Sequence, residues 1–253
     1  MTKVDEHALA LRELDDPEPY LLEHSGLPGP RGNLELARAA ADVRSPAELR
    51  RWASLDPGVA PTGGAEEFLV FCGVVGLGRL LAEGDAKALV ELRGHANDPR
   101  WRVREAVAMA LQRWGGENFD ALAVTMAEWA SGSLLERRAA GAAVCEPALL
   151  TDPARVEAAL AVLTEATAGL AAADSAERRS YEYKALRKGL GYCWSVAVAA
   201  APETARPAFE ALVARAAASD DRDLLWVARE NLRKHRLERL HSDWVAALSK
   251  RLG

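Results

Sequence analysis

The stretch DPRWRVREAVAMALQRW, residues 98–114, decides the fold of this 253-residue chain. Asp98 is a residue type that caps helices, and Pro99 follows where a first-turn proline is tolerated. The apolar residues that recur at helical spacing along one side are Val103, Ala106, Val107, Ala110, Leu111 and Trp114. At ~100° per residue, Trp101 and Glu105 fall on the opposite side. We therefore predict an amphipathic helix with a tryptophan on its polar side.

Helical patterns continue in both directions from this stretch. Hydrophobic residues make up 49% of the chain and alanine dominates that fraction, which favours closely packed helices. No long alternating run predicts a strand. The predicted helices cover residues 4–14, 19–24, 34–43, 45–55, 65–83, 85–96, 98–114, 119–130, 134–145, 153–172, 176–200, 202–218, 221–236 and 242–252. Their short connections imply antiparallel neighbours, so the predicted fold class is all-α.

Part of the first helix recurs near the end of the chain. The motif DxxWxxRE at residues 98–105 returns at residues 223–230, and two weaker copies centre on Arg138 and Arg187. The arginines at positions 104, 138, 187 and 229 are 34, 49 and 42 residues apart, which is the range of two-helix repeats. Helix pairs of this kind bury their apolar sides by stacking on one another.

The first copy resembles the signature of HEAT repeats, through Asp98-Pro99 and the following Val103-Arg104 with small or apolar residues after them. The resemblance implies a right-handed α-solenoid of stacked antiparallel helix pairs over residues 61–253, with residues 1–60 as an N-terminal helical capping segment. It also implies that the helix carrying Val-Arg lines the concave side. In HEAT proteins an aspartate and an arginine often form a ladder of contacts between neighbouring repeats. The resemblance therefore implies a structural role for Asp98, Arg104, Asp223 and Arg229.

The residues that the two copies share predict a surface for a partner. We expect a non-enzymatic scaffold that binds a macromolecule, in the first place a protein, on its concave face. The residues that rigid helices would present there are Trp101, Arg104, Glu105, Trp226, Arg229 and Glu230. An exposed tryptophan beside arginine suits a peptide anchor, base stacking or a cation–π contact.

Basic and aromatic residues interleave in a second segment, residues 177–194. The candidates for binding an anion are Arg178, Arg179, Lys184, Arg187, Lys188, Trp194 and, further along the chain, Arg233. An ordinary solvated helix face with i,i+4 ion pairs is the alternative interpretation.

The combination of helical repeats, tryptophans and basic residues is also similar to the helical-repeat alkylpurine DNA glycosylases (AlkD-type). That resemblance implies DNA binding and a role in DNA repair, and it is the alternative to a protein partner. The net charge of −5 argues mildly against a general nucleic-acid binder, because phosphate neutralisation needs a dense basic surface. We carry over no catalytic aspartate from this family.

Motifs of hydrolytic, nucleotide-binding and metal chemistry are missing from the sequence, which has no GxSxG, HExxH or Gly-rich loop ending in Lys-Ser/Thr. We assign no catalytic residue, metal ligand or cofactor. Cys72, Cys145 and Cys193 lie in apolar surroundings without CxxC spacing, which predicts buried, reduced thiols. No apolar run reaches the ~18 residues of a membrane span, and no signal peptide opens the chain, so the expected location is the cytoplasm.

Glycines cluster in two segments of the first third of the chain, a loop and an apolar helix. The loop SGLPGPRGN, residues 25–33, specifies a defined backbone path. It either packs the first helices together or offers Arg31 and Asn33 to a ligand. The three glycines within Gly73–Gly78 are too widely spaced for a phosphate loop, and we expect them to allow close contacts between helices.

Overall fold

The computed structural model describes all 253 residues and contains fourteen α-helices and no strand, which confirms the predicted all-α class. The helices are α1 (Lys3–Glu13), α2 (Glu18–Glu23), α3 (Leu34–Val43), α4 (Pro46–Ala53), α5 (Glu67–Ala82), α6 (Lys87–Ala96), α7 (Trp101–Glu117), α8 (Phe119–Trp129), α9 (Leu134–Val144), α10 (Pro153–Ala172), α11 (Tyr181–Ala200), α12 (Pro202–Ala218), α13 (Arg222–Leu232) and α14 (His235–Leu252). None of them combines the length and apolar composition that a membrane span requires.

Helix α7 differs from its prediction at both ends. Asp98 accepts a hydrogen bond from the backbone N–H of Arg100 (2.8 Å), as a capping side chain does, and the helix begins at Trp101. The helix, predicted to end at residue 114, continues through the glycines at 115–116 to Glu117. Neither glycine has a positive φ, and the chain stays helical until Asn118 caps α8.

The boundaries of two later helices also differ from the prediction. The sequence predicts that the long helix begins at residue 176, whereas residues Glu177–Arg179 form a 3-10 turn and α11 begins at Tyr181. Ser180 supplies the N-cap. A helical stretch begins at His235 and runs into the predicted break, and the non-helical backbone of His241 (φ −152°, ψ 48°) separates it from the stretch that follows, in agreement with the predicted start at residue 242.

The chain divides into two compact units, Met1–Glu117 and Asn118–Gly253. The predicted boundary at residue 60 therefore lies inside the first unit, where α3 and α4 pack against α5 across it. A capping role for the first helices stays a prediction.

Helix α5 forms the core of the first unit. Nearly all of its residues are buried, and α3, α4 and α7 pack against it. A Cβ at Gly78 would lie 2.5 Å from the Cα of Ala110 in α7, and a Cβ at Gly76 would lie 2.5 Å from Cδ2 of Leu49 in α4. The prediction that these glycines allow close contacts between helices is confirmed.

The helices of the second unit lie in two rows. Helices α9, α11 and α13 contact one another in succession, and so do α8, α10, α12 and α14. Every helix of the unit also contacts the next one along the chain, from α8 to α14. The residues that centre the repeat copies, Arg138, Arg187 and Arg229, belong to the first row.

A buried asparagine joins two helices of that first row. Asn231 in α13 is fully buried, and its amide donates to the carbonyls of Leu190 and Val227 (both 2.8 Å). Its side-chain oxygen accepts from the backbone N–H of Ser195 (2.8 Å). Because every polar group of the amide that faces the core has a partner, this residue fixes α13 against α11 at low energetic cost.

Candidate functional site

Trp101 lies at the surface of the first unit, on a rigid base. Its side chain is 41% exposed, and the guanidinium carbon of Arg102 lies 4.4 Å from the ring centroid. Arg102 is buried, where it pairs with the fully buried Glu67 (3.0 Å) and donates to the carbonyl of Gly29 (2.6 Å). Glu105, one turn further along α7, is exposed as well. The indole therefore presents an apolar surface that is supported by an anchored arginine.

Arg104 has a different environment from its neighbours. It is 3% exposed and donates to the backbone carbonyl of Asp98, so it stabilises the chain that leads into α7. The carboxylate of Asp98 pairs with Arg100 (2.7 Å). The structure thus places Arg104 beneath the surface, and its structural role in a HEAT-like ladder stays a prediction.

The second copy of the motif lies in the second unit, where Asp223 collects three donors. Its carboxylate accepts from Arg187 (2.5 Å), from the hydroxyl of Tyr183 (2.9 Å) and from Arg178 (3.3 Å). Arg178 also pairs with Asp221 (2.8 Å), and this hydrogen bond lowers the pKa of that carboxyl. Burial, followed by the hydrogen bond to Asp223, raises the pKa of Tyr183. The network joins the start of α13 to α11 and to the turn before it.

Trp226 is held more tightly than Trp101. The guanidinium carbon of Arg187 lies 4.5 Å from its ring centroid, and the ring packs on Gly191, where a Cβ would come within 2.7 Å of it. Trp226 is only partly exposed. The two tryptophans occupy equivalent positions in the repeated motif, but their surroundings differ. Trp101 lies on Arg102 alone, whereas Trp226 lies between Arg187 and the backbone of α11 at Gly191.

Arg229 and Glu230, the remaining residues of the second copy, both form contacts within the second unit. Arg229 donates to the backbone carbonyls of Leu252 and Gly253 (2.9 Å to the latter). Glu230 pairs with Lys234 (2.6 Å). These contacts occupy both charged groups within the unit, although Arg229 is still exposed to solvent.

The predicted anion-binding residues divide into three groups. Arg178 and Arg187 are paired with the two aspartates described above. Trp194 is 2% exposed and donates from Nε1 to Thr167 (3.1 Å), so it belongs to the core and cannot stack on a bound anion. The residues exposed to solvent are Arg179, Lys184, Lys188 and Arg233. Lys184 and Lys188 share one face of α11 with the exposed Tyr181 and Tyr192.

The loop at residues 25–33 forms the floor of a cleft in the first unit. Sequence reasoning singled out Arg31 and Asn33, and both line this cleft. It missed the residues that α1 contributes, among them His7. No local signal could have identified them, because the contact joins residues about 25 positions apart through tertiary packing.

The cysteines and metal-ligating residue types form no further site. All three cysteines are free and buried, as predicted, and burial raises the pKa of Cys72. The pKa of Cys145 is also raised, first by burial and then by a hydrogen bond with Cys193. No group of three or more His, Cys, Asp or Glu side chains could hold a metal ion.

Comparison with known proteins gave no relatives: no family model matches the chain, and neither a curated protein nor a solved structure does so. The geometry of the residues described above is therefore the basis for a functional proposal.

Proposed function

We propose that this chain is a non-enzymatic helical-repeat protein of the HEAT-like α-solenoid type, which binds a protein partner through the surface around Trp101. The single observation that carries the proposal is the 41% exposure of Trp101 above a buried arginine that pairs with Glu67 and donates to the carbonyl of Gly29. Tryptophan is among the residues most often found at the energetic centres of protein interfaces.

The support under Trp101 suits it to this role. The pairing of Arg102 with Glu67 and the carbonyl of Gly29 fixes the guanidinium on which the indole lies. A side chain that is held in one orientation before binding loses less conformational entropy when a partner covers it. Glu105 lies one helical turn away and is exposed, so it belongs to the polar rim of this surface.

The proposal of a repeat architecture is supported by the second unit. Within it, α9, α11 and α13 contact one another in succession, and so do α8, α10, α12 and α14. The side chain of Arg187, at the centre of one weak repeat copy, donates to Asp223, the first residue of the next copy (2.5 Å). An arginine and an aspartate that join successive copies in this way are what a HEAT-like ladder requires.

A nucleic acid is the second candidate partner, and the exposed face of α11 favours it. Lys184 and Lys188 form no ion pair there, and they lie between Tyr181 and Tyr192 along the helix. Unpaired lysines and aromatic rings are the groups that contact phosphates and bases. The aspartates that neutralise Arg178 and Arg187 weaken this candidate, as does the net charge of −5.

The test compares three forms of the protein: the wild type, Trp101→Ala, and the control Val90→Ala. Val90 is 75% exposed on α6, in the same unit. Partners retained by the wild type would be identified by quantitative mass spectrometry, purified, and titrated against each form. We expect Trp101→Ala to weaken binding by at least about tenfold and Val90→Ala to leave it unchanged. Equal affinity of all three forms would refute the proposal.

The nucleic-acid candidate is tested on the same samples. Duplex DNA would be titrated at low salt, and base release from alkylated DNA would be measured in parallel. Salt-sensitive binding that is lost in a Lys184→Gln, Lys188→Gln double variant would favour the second candidate. Absence of binding and of base release would exclude the DNA-repair alternative.

A further inference from the structure

The cleft above the loop at residues 25–33 has the size of a small-molecule site. Its volume is about 560 Å³, within the ~300–1,000 Å³ of typical ligand pockets. Three elements of the first unit surround it: the first turns of α1, the end of α2 with the loop after it, and the first turn of α3. The lining residues are Lys3, Glu6, His7, His24, Gly26, Arg31, Gly32, Asn33 and Glu35.

The loop that forms the floor is held in place by hydrogen bonds from its own residues. The buried hydroxyl of Ser25 donates to the carbonyl of Leu22 (2.8 Å) and accepts from the N–H of Leu27 (3.0 Å). The N–H of Asn33 closes the loop on the carbonyl of Ser25 (2.8 Å). Gly26 has φ +74°, a conformation that favours glycine at this turn. The cleft is therefore preformed.

One wall of the cleft is polar. His7 Nδ1 lies 2.9 Å from the hydroxyl of Tyr20, and the ring of Tyr20 packs on that of His24 with centroids 4.3 Å apart. The amide of Asn33 donates to the carbonyl of His24 (3.1 Å). Burial, and then the nearby His24, lower the pKa of His7, which favours its neutral imidazole. This wall gives orientation and shape to the cleft.

Four charged side chains at the cleft lack partners. Lys3 and Arg31 are positive, Glu6 and Glu35 are negative, and none of them forms an ion pair or hydrogen bond. Elsewhere in the unit most arginines are paired, as Arg50 is with Asp85 and Glu91. Two unpaired charges of each sign around one preformed cleft are complementary to a ligand that itself carries both signs.

We propose that this cleft binds a small zwitterion with one carboxylate and one ammonium group, the chemistry of a free α-amino acid. Arg31 and Lys3 bind the carboxylate, since a guanidinium can donate two parallel hydrogen bonds to it. Glu6 and Glu35 accept from the ammonium group. A simple anion would be attracted by the two basic residues and repelled by the two glutamates. A simple cation would be attracted by the glutamates and repelled by the basic residues. The cleft therefore discriminates against ligands that carry a single charge.

The first experiment is a thermal-shift screen of the full-length protein with the proteinogenic L-amino acids. Acetate and methylammonium serve as probes that carry a single charge. Amino acids that raise the melting temperature would then be titrated by calorimetry. We expect binding of at least one amino acid with a Kd below about 10 mM, and no comparable shift with either single-charge probe. A shift of equal size with acetate or methylammonium alone would overturn the proposal, as would the absence of any shift.

The variants Arg31→Gln and Glu35→Gln locate the site, with Arg38→Gln and Glu23→Gln as matched controls. All four positions are exposed, so each variant is expected to fold, which circular dichroism would verify. The two cleft variants should each weaken binding at least about tenfold, whereas the controls should bind as the wild type does. Unchanged affinity in both cleft variants would show that the amino acid binds elsewhere and would refute the proposal. The result is independent of the Trp101 surface, because the assay contains no macromolecular partner.

Discussion

The contact between α5 and α7 can be tested by adding one methyl group to it. Gly78 faces the backbone of α7, and a Cβ there would lie 2.5 Å from Cα and 2.6 Å from the carbonyl oxygen of Ala110. Gly94, in the last turn of α6, has no atom within 4 Å of the equivalent position. Gly78→Ala and Gly94→Ala therefore make the same chemical change in two helices that differ in the space available.

The expected effects have opposite signs. Alanine gains about 1 kcal/mol over glycine in the interior of a helix, so Gly94→Ala should stabilise the protein by about 0.5–1 kcal/mol. At Gly78 the new methyl group would meet backbone atoms, which cannot move aside as a side-chain end can. The two helices must separate by about 1 Å, and overpacking of this kind costs about 1–3 kcal/mol or more. We expect a net loss of about 2 kcal/mol for Gly78→Ala.

Urea denaturation followed by far-ultraviolet circular dichroism measures both effects. The free energies of unfolding can be compared directly if the m-value, the slope of the free energy against urea concentration, is the same for all variants. A changed m-value would indicate an altered unfolded state. If Gly78→Ala is as stable as the wild type while Gly94→Ala is stabilised, α5 and α7 do not pack at the distance described, and the explanation of the glycines is wrong.

Three further predictions concern buried polar groups. Asn231→Leu removes two buried hydrogen bonds that join α13 to α11 and should lower the free energy of unfolding by about 2 kcal/mol in urea; a loss below about 0.5 kcal/mol would contradict the bridging role. Glu67→Ala leaves the buried guanidinium of Arg102 unpaired and should cost about 3–5 kcal/mol, whereas Asp42→Ala, which breaks an exposed ion pair, should cost less than about 1 kcal/mol. Burial lowers the pKa of His95 from 6.5, so the unfolded state binds its proton first and stability falls as the pH drops below that value. His95→Gln should flatten this dependence, and an unchanged pH profile of the melting temperature would contradict it.

Most of the fold could be predicted from the sequence because its determinants are local. Apolar periodicity gave the positions of the helices, and residues with capping side chains, such as Ser45, Asp152 and Asp221, mark their beginnings. The errors arose where two local signals competed. Ser175 and Ser180 are both suitable caps for α11, and the glycines at 115–116 are compatible with a helix end or with its continuation.

The candidate site was less predictable because its contacts join distant residues. Periodicity correctly placed Trp101 outside the apolar stripe, and the side chain is exposed. The same reasoning could not show that Trp194 is buried, since α11 is apolar on several sides. Nor could it show that Asp223 would gather Arg178 from 45 residues away. Pairing of charges across such distances depends on how helices pack, and no spacing within the sequence encodes it.

Arg102 connects two surfaces that the sequence gives no reason to connect. One guanidinium lies under the indole of Trp101 and also holds the carbonyl of Gly29 in the loop beneath the cleft. Any ligand that changes the conformation of this loop would also change the support of the indole. The two binding events would then share a coupling free energy, which by thermodynamic linkage has the same value in either direction. If a ligand in the cleft changes the affinity for the partner by some factor, the partner changes the affinity for that ligand by the same factor.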